Sequence, residues 1–240
     1  MDDFISWDLM REHSAPLLGR PLNDVAISRF NRYAECLVEA TKSVNLTRII
    51  EPDEIVIKHF IDSIALYKYC KIEDGMEVCD VGTGAGFPGL ALLIANPRIK
   101  LTLMDSTNKK LEFVRFMVKE LMLKADVVTA RAEDAGKSKL YRERFDLVTA
   151  RAVAQLNVID EYCLPLLKVG GEFAPLKGRL SDEEKEKGIK AAKTLGAEMY
   201  KDCKYNLPDG SERELVIFRK KAPTIAKYPR NGAQISKKPL

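Results

Sequence analysis

Apolar residues in the first third of the chain recur at helical spacing. From Leu22 they fall at Ile27, Phe30, Tyr33, Ala34, Leu37 and Val38, the stripe of one helix face, with Asn23 or Asp24 placed to cap it. A further helix is expected to open at Pro52, with Asp53 and Glu54 in its first turn and Val56, Phe60, Ile64 and Tyr67 turned inward. From Met76 the rhythm changes to short apolar runs that alternate with helical stretches. The predicted strands are 77–81, 100–105, 125–130, 145–150 and 170–176. One intervening helix is predicted over 108–123, with Leu111, Val114, Phe116, Val118 and Leu121 apolar. Such alternation predicts right-handed βαβ units and a parallel sheet covered on both faces. After a charged helix over 181–195, predicted strands 199–205 and 214–219 flank Leu207-Pro208-Asp209-Gly210, so the sheet is expected to close with an antiparallel hairpin. The fold class is α/β: a Rossmann-like sheet of seven strands with helices on both faces and an N-terminal helical extension. The expected organisation is a helical extension over 1–70, a ligand-binding core over 71–221 and a tail over 222–240, together forming one structural domain.

Composition changes this picture little. The 240 residues are 46% hydrophobic and 31% charged, as expected of a soluble globular protein. The densest apolar run, 90–95, is far short of a membrane span. The start MDDFISWDLMREH lacks the basic-then-apolar order of a signal peptide, so a cytoplasmic protein with no membrane partner is expected. Cys36, Cys70, Cys79, Cys163 and Cys203 are odd in number and form no C-x-x-C, and only two His are present. Reduced thiols and no metal site are expected, with Cys79 in the core.

Charge is more informative once divided. The overall +4 conceals a tail, 219–240, with seven Lys and Arg and no acid, against 32 basic and 35 acidic residues in the rest. A basic tail suits a polyanion, and an aromatic among its cations suits stacking on RNA bases. Lys227, Tyr228, Arg230, Lys237 and Lys238 are the candidate RNA contacts. The alternative is a solvated terminal tail.

The candidate chemistry begins at Asp80-Val81-Gly82-Thr83-Gly84-Ala85-Gly86-Phe87-Pro88-Gly89, directly after the first strand and opening a helix. Closely spaced glycines allow a tight turn and close approach of a ligand, and the helix N-terminus beyond is expected to offer free N–H groups. Gly84-x-Gly86-x-x-Gly89 also matches a dinucleotide fingerprint, so an NAD-dependent oxidoreductase is one alternative. Asp80 at the strand end repels a pyrophosphate, however, and suits a ligand with an ammonium group. Asp105 closes the second strand, where an acid can accept from ribose hydroxyls; Glu133 and Asp134 follow the third, and Arg151 the fourth. Each alone reads equally as a solvated loop charge or, for Arg151, as an ion pair with Glu133 or Asp134. Together they mark one ligand edge.

These segments resemble class I S-adenosylmethionine-dependent methyltransferases. The chain is similar, within that class, to the ribosomal RNA small-subunit methyltransferase G (glucose-inhibited division protein B) family. The matching segments are Asn45-Leu46-Thr47-Arg48-Ile49, His59-Phe60-x-Asp62-Ser63, the glycine run, Arg131-Ala132-Glu133, Ala150-Arg151-Ala152, Leu176-Lys177-Gly178 and Tyr228-Pro229-Arg230…Lys238-Pro239-Leu240. Lys58 and Ile235 depart from it, standing where the family often has Arg and Pro. The resemblance implies S-adenosyl-L-methionine as cofactor and methyl transfer to N7 of a guanine in the 530 loop of 16S rRNA, free or in the small ribosomal subunit. A monomer is expected. The candidate cofactor contacts are Asp80, Gly82, Gly84, Gly86, Phe87, Asp105, Ala132, Glu133 and Arg151. Guanine N7 carries no proton, so no general base is required and none is assigned; His59 and Arg151 are the candidates for a catalytic part. His59 lies beside Val56, Phe60 and Ser63 and reads equally as a core histidine. Other readings are methyl transfer to another RNA or a small molecule, and an RNA-binding assembly factor without catalysis.

Overall fold

A computed structural model describes residues 3–151 and 154–240. Its centre is a seven-stranded sheet in the order β3-β2-β1-β4-β5-β7-β6. The strands are β1 (Glu77–Val81), β2 (Lys100–Asp105), β3 (Ala125–Thr129), β4 (Phe145–Arg151), β5 (Leu167–Leu176), β6 (Ala197–Asn206) and β7 (Glu212–Lys220). The first five run parallel, and β7 lies antiparallel between β5 and β6.

Alternation along each strand divides the apolar residues between two cores. Val78, Leu101, Leu103, Leu147, Ala174, Leu215 and Ile217 face one layer. Cys79, Val81, Met104, Val148, Ala150, Phe173, Val216 and Phe218 face the other. The first layer is covered by α1 (Trp7–Leu18), α2 (Asp24–Thr41), α6 (Gly89–Ala95) and α7 (Asn108–Glu120). The second lies under α9 (Leu156–Cys163) and α10 (Asp182–Thr194). Capping is as the side chains dictate: Asn23 accepts from the Ala26 N–H, and Ser181 from the Glu184 N–H. Burying both faces of the strands explains why they read as nearly continuous apolar runs.

Three elements differ from the sequence expectation. The helix opening at Pro52 is not continuous. A short α3 (Pro52–Ile55) passes into a π-helical turn over Val56–Ile61, then α4 (Asp62–Ile64) and α5 (Leu66–Tyr69). Val56, Phe60 and Ile64 are buried as expected, and His59 sits within the wide turn. Strand β5 begins at Leu167 rather than Gly170, because the pairing with β4 shifts register between Phe145 and Leu147 and the Gly-Gly pair interrupts the apolar pattern. Phe116 is exposed: the buried stripe of α7 runs through Leu111, Phe113, Val114 and Met117, which leaves position 116 on the outer side.

The order of succession switches between the parallel neighbours β1 and β4, with β2 and β3 on one side and β5 on the other, so their C-terminal ends open a crevice there. The short α8 (Ala132–Ala135) follows β3 at the same edge. Past β7, the chain returns along α9 and ends in α11 (Gly232–Lys237). No helix among the described residues is long and apolar enough to cross a membrane.

Candidate functional site: two cavities that share Arg151 and His59

The glycine loop folds over Asp80 rather than presenting it. Asp80 is fully buried, and its Oδ2 accepts from the Thr83 hydroxyl at 2.6 Å and the Gly89 N–H at 2.9 Å. Burial pushes its carboxyl up to about 6, although those two hydrogen bonds pull against the rise. Its role is therefore to hold the loop; the sequence expectation of direct ligand contact is corrected by this burial. Packing excludes a side chain at two of the glycines, and Gly86 also has a positive φ of 104°. At Gly86 a Cβ would lie 2.5 Å from Leu90 Cδ1 and 2.7 Å from the Tyr33 hydroxyl, and at Gly89 2.5 Å from Leu103 Cδ2. Gly86 thus faces the core and not a ligand.

The expectation of free N–H groups also changes. Those of Gly82 and Thr83 donate to the Met104 carbonyl, those of Gly86 and Phe87 to the Thr83 carbonyl, and that of Gly84 to Asp105 Oδ2 at 3.0 Å. A loop whose donors are already engaged cannot cradle a pyrophosphate, which removes the physical basis of the dinucleotide reading.

Around this loop lies a cavity of about 580 Å³ lined by Gly82, Gly84, Phe87, Asp105, Ala132, Glu133 and Arg151, seven of the nine candidate cofactor residues. Asp105 and Glu133 are its buried carboxylates; Asp105 also accepts from the Thr107 N–H at 2.8 Å. Arg131 stands 3.8 Å from Glu133, with its side chain 70% exposed. Phe87 stacks against Tyr33 at 4.9 Å and His59 at 4.5 Å, and the Arg151 guanidinium lies 4.8 Å from its centroid. Tyr33 also donates to the Ala85 carbonyl at 2.6 Å, tying the helical extension to the loop. The stripe pattern showed Tyr33 only as core. The cavity fits a nucleoside with a short polar chain: a carboxylate for a diol, a second acid beyond it, and no anion cradle.

A second cavity, about 700 Å³, is lined by Lys58, Asp62, Lys177, Arg179, Glu184 and Arg213, and shares His59 and Arg151 with the first. Arg151 does not pair with Glu133 or Asp134. Its Nη1 donates to the Lys58 carbonyl at 3.2 Å and lies 3.8 Å from Asp62 Oδ2, because the π-helical turn carries both to the β4 end. Asp62 is held by Arg213 Nε at 3.0 Å; burial pushes its carboxyl up, and Arg213 and Arg151 restrain it. His59 is buried, with Nδ1 3.1 Å from Arg151 Nη2 and Nε2 2.9 Å from Thr47 Oγ1. Burial and Arg151 lower its pKa to about 3, so the ring is neutral. The polar atoms of His59 are satisfied, and it lines both cavities. The Ala152 position of the matching motif lies outside the described residues.

The tail is built into the protein. Tyr228 is buried, and its carbonyl accepts from Arg142 at 2.8 Å. Arg230 clasps Glu161 of α9 through Nη2 at 2.6 Å and Nε at 2.9 Å. The expected stacking face of Tyr228 and the charge of Arg230 are thereby taken up internally. Arg219 pairs with Glu172, and Lys221 with Glu198; Lys220 is buried, donating to the Leu164 carbonyl at 2.6 Å. Lys227, Lys237 and Lys238 are exposed. Gly232, the first residue of α11, packs against the Glu133 carboxylate, so the tail also backs a residue that lines the first cavity.

Comparison with known proteins agrees with this geometry. A family model described as rRNA small subunit methyltransferase G matches residues 26–215. A ribosomal RNA small subunit methyltransferase G from Lactobacillus acidophilus is 44% identical over 91% of this chain and 93% of its own. One from Desulfitobacterium hafniense is 44% identical over 97% of this chain and all of its own. Among solved structures, a SAM-dependent O-methyltransferase from Thermotoga maritima superposes with a TM-score of 0.51 at 14% identity, over 78% of this chain and 71% of that one. TrmN from Thermus thermophilus does so with a TM-score of 0.52 at 19% identity, over 67% and 48%. These two likenesses establish the fold, and the sequence relatives go further: the chain belongs to the ribosomal RNA small subunit methyltransferase G family.

Proposed function

We propose that this protein transfers a methyl group from S-adenosylmethionine to N7 of a guanine in the 530 loop of 16S rRNA. The observation that carries the reading is the junction of the two cavities at Arg151 and His59. One side offers buried carboxylates to a nucleoside, and the other gathers Lys58, Lys177, Arg179 and Arg213 for a polyanion; Lys58, Lys177 and Arg213 also pair with Glu54, Glu184 and Asp62. The target base and its N7 follow from membership of the family.

When bound, the cofactor supplies a methyl carbon on a sulfonium, which an N7 lone pair takes up while the carbon–sulfur bond breaks and its electron pair stays on sulfur. N7 has no proton to lose, so the protein's task is placement rather than base catalysis. Asp105 would accept from the ribose hydroxyls, while Glu133 and the Ala132 backbone would face the adenine. Gly82 and Gly84 would border the amino-acid end, and Phe87 with His59 would form the wall towards the acceptor. Arg151, fixed by Asp62, Lys58 and His59, holds the edge where the two ligands meet. The exposed Lys227, Lys237 and Lys238 add sequence-independent attraction for phosphate.

The test is transfer of a labelled methyl group to small ribosomal subunits lacking the modification, with protein-free 16S RNA alongside. Label recovered as 7-methylguanosine is the expected result. No label in either RNA, with cofactor binding intact, would contradict the assignment.

A further inference from the structure

We propose that Thr47 donates a hydrogen bond to O6 of the acceptor purine, and that Arg151 and His59 fix it as a donor, making Thr47 a specificity-determining residue. This deepens the methyl-transfer reading above and rests on it.

The argument follows protons along one chain of contacts. A guanidinium has donors and no acceptor. Arg151 Nη2 lies 3.1 Å from His59 Nδ1, so Nδ1 must present a lone pair. The ring is buried and neutral, which leaves its one proton on Nε2. That nitrogen lies 2.9 Å from Thr47 Oγ1 and donates to it. The Ile49 N–H donates to the same oxygen at 3.0 Å. Both lone pairs of the hydroxyl are thus occupied. Its hydrogen has no acceptor among the described residues, and Thr47 lines the first cavity beside His59, which opens on both. With the opposite tautomer Thr47 would donate to the ring and present nothing; Arg151 forbids that state.

Thr47 lies on the first cavity's side of the junction, beside His59, and a lone donor there reads an acceptor atom. Beside N7, guanine carries the O6 acceptor and adenine the N6 amino donor. Thr47 therefore favours guanine and opposes adenine at the reacting edge, where the other cavity groups attract phosphate regardless of base.

The test compares Thr47→Val and Thr47→Ser with the unaltered protein on unmodified small subunits. A second substrate consists of subunits reconstituted with RNA carrying 2-aminopurine, which lacks O6, at the acceptor position. The unaltered protein should lose about tenfold in kcat/KM on the 2-aminopurine substrate. Thr47→Val should lose about the same on guanine and treat the two substrates alike, with its Kd for S-adenosylhomocysteine within twofold. Thr47→Ser, which keeps the hydroxyl, should behave as the unaltered protein and reports that the site is folded. Thr47→Val discriminating as strongly as the unaltered protein would overturn the proposal. So would a rise in cofactor Kd that accounts for the lost activity, since Thr47 would then serve the cofactor. Absence of transfer by the unaltered protein would instead sink the methyl-transfer reading itself.

Discussion

The two halves of the strand-end crevice solve opposite problems. On the β1–β3 side, buried carboxylates and closed backbone hydrogen bonds shape a cavity for a nucleoside. On the β4–β7 side, Lys58, Arg151, Lys177, Arg179 and Arg213 outnumber Asp62 and Glu184. On the proposed reading, the first half selects through shape and acceptors and the second attracts through charge. Among the described residues, only Arg151 and His59 belong to both. The lesson is that a residue's apparent availability in the sequence says little until its donors are followed: most of the glycine loop's N–H groups and four of the seven tail cations are engaged within the protein.

The largest expected effect concerns the anchor of the tail on α9. Arg230→Ala leaves Glu161, buried to 0% exposure, without its guanidinium and with only the backbone N–H of residue 230. Unfolding in urea should show a loss of about 3–5 kcal/mol. A loss below about 1 kcal/mol would mean that the tail is not structural. Next, Arg151→Ala should lower methyl transfer about 100-fold by misplacing the ligands. If it weakened only one of cofactor and RNA, Arg151 would belong to one half and the comparison would break.

A pH effect of about 2 kcal/mol sharpens the account of His59. Its folded pKa of about 3 lies below the ordinary 6.5, so the unfolded chain takes up the proton first and stability falls as pH drops below 6.5. Asp80, held near 6, acts in the opposite sense, contributing fully below its ordinary 3.8 and losing that contribution as pH rises through 6. Because the two offset one another, the informative quantity is the difference between the unaltered protein and His59→Asn. It should move by about 2 kcal/mol in favour of the variant between pH 6.5 and 5, measured by denaturant unfolding. A pH-independent difference would place the ring proton elsewhere. The smallest effect is expected for Lys227→Ala, Lys237→Ala and Lys238→Ala combined: RNA affinity falls a few-fold, and the log–log salt slope shrinks by about two, with cofactor affinity unchanged.

Much of the fold was legible because its signals are local. Strands 77–81 and 100–105 match β1 and β2 at both ends, and of the two cap candidates Asn23 and Asp24 it is Asn23 that caps α2. The π-helical turn was not legible, since its apolar stripe matches that of an ordinary helix. In the site, Asp105, Glu133 and Arg151 were visible as charges at strand ends. Asp80, Gly86, Tyr228 and Arg230 read as ligand contacts because a sequence does not show which face of the backbone a side chain occupies. Thr47 was present only as part of a matching segment, Asn45-Leu46-Thr47-Arg48-Ile49. Its meaning depends on a proton relay between residues 104 positions apart, Thr47 and Arg151.

The division of labour between the halves is tested most directly by crossed titrations of two single variants. Asp105→Ala and Arg179→Ala would each be titrated with S-adenosylhomocysteine and with 16S RNA. The account predicts that Asp105→Ala weakens the first ligand about tenfold and leaves the second unchanged, while Arg179→Ala weakens only the RNA, with a salt slope smaller by about one. Loss of the same ligand in both variants would contradict it.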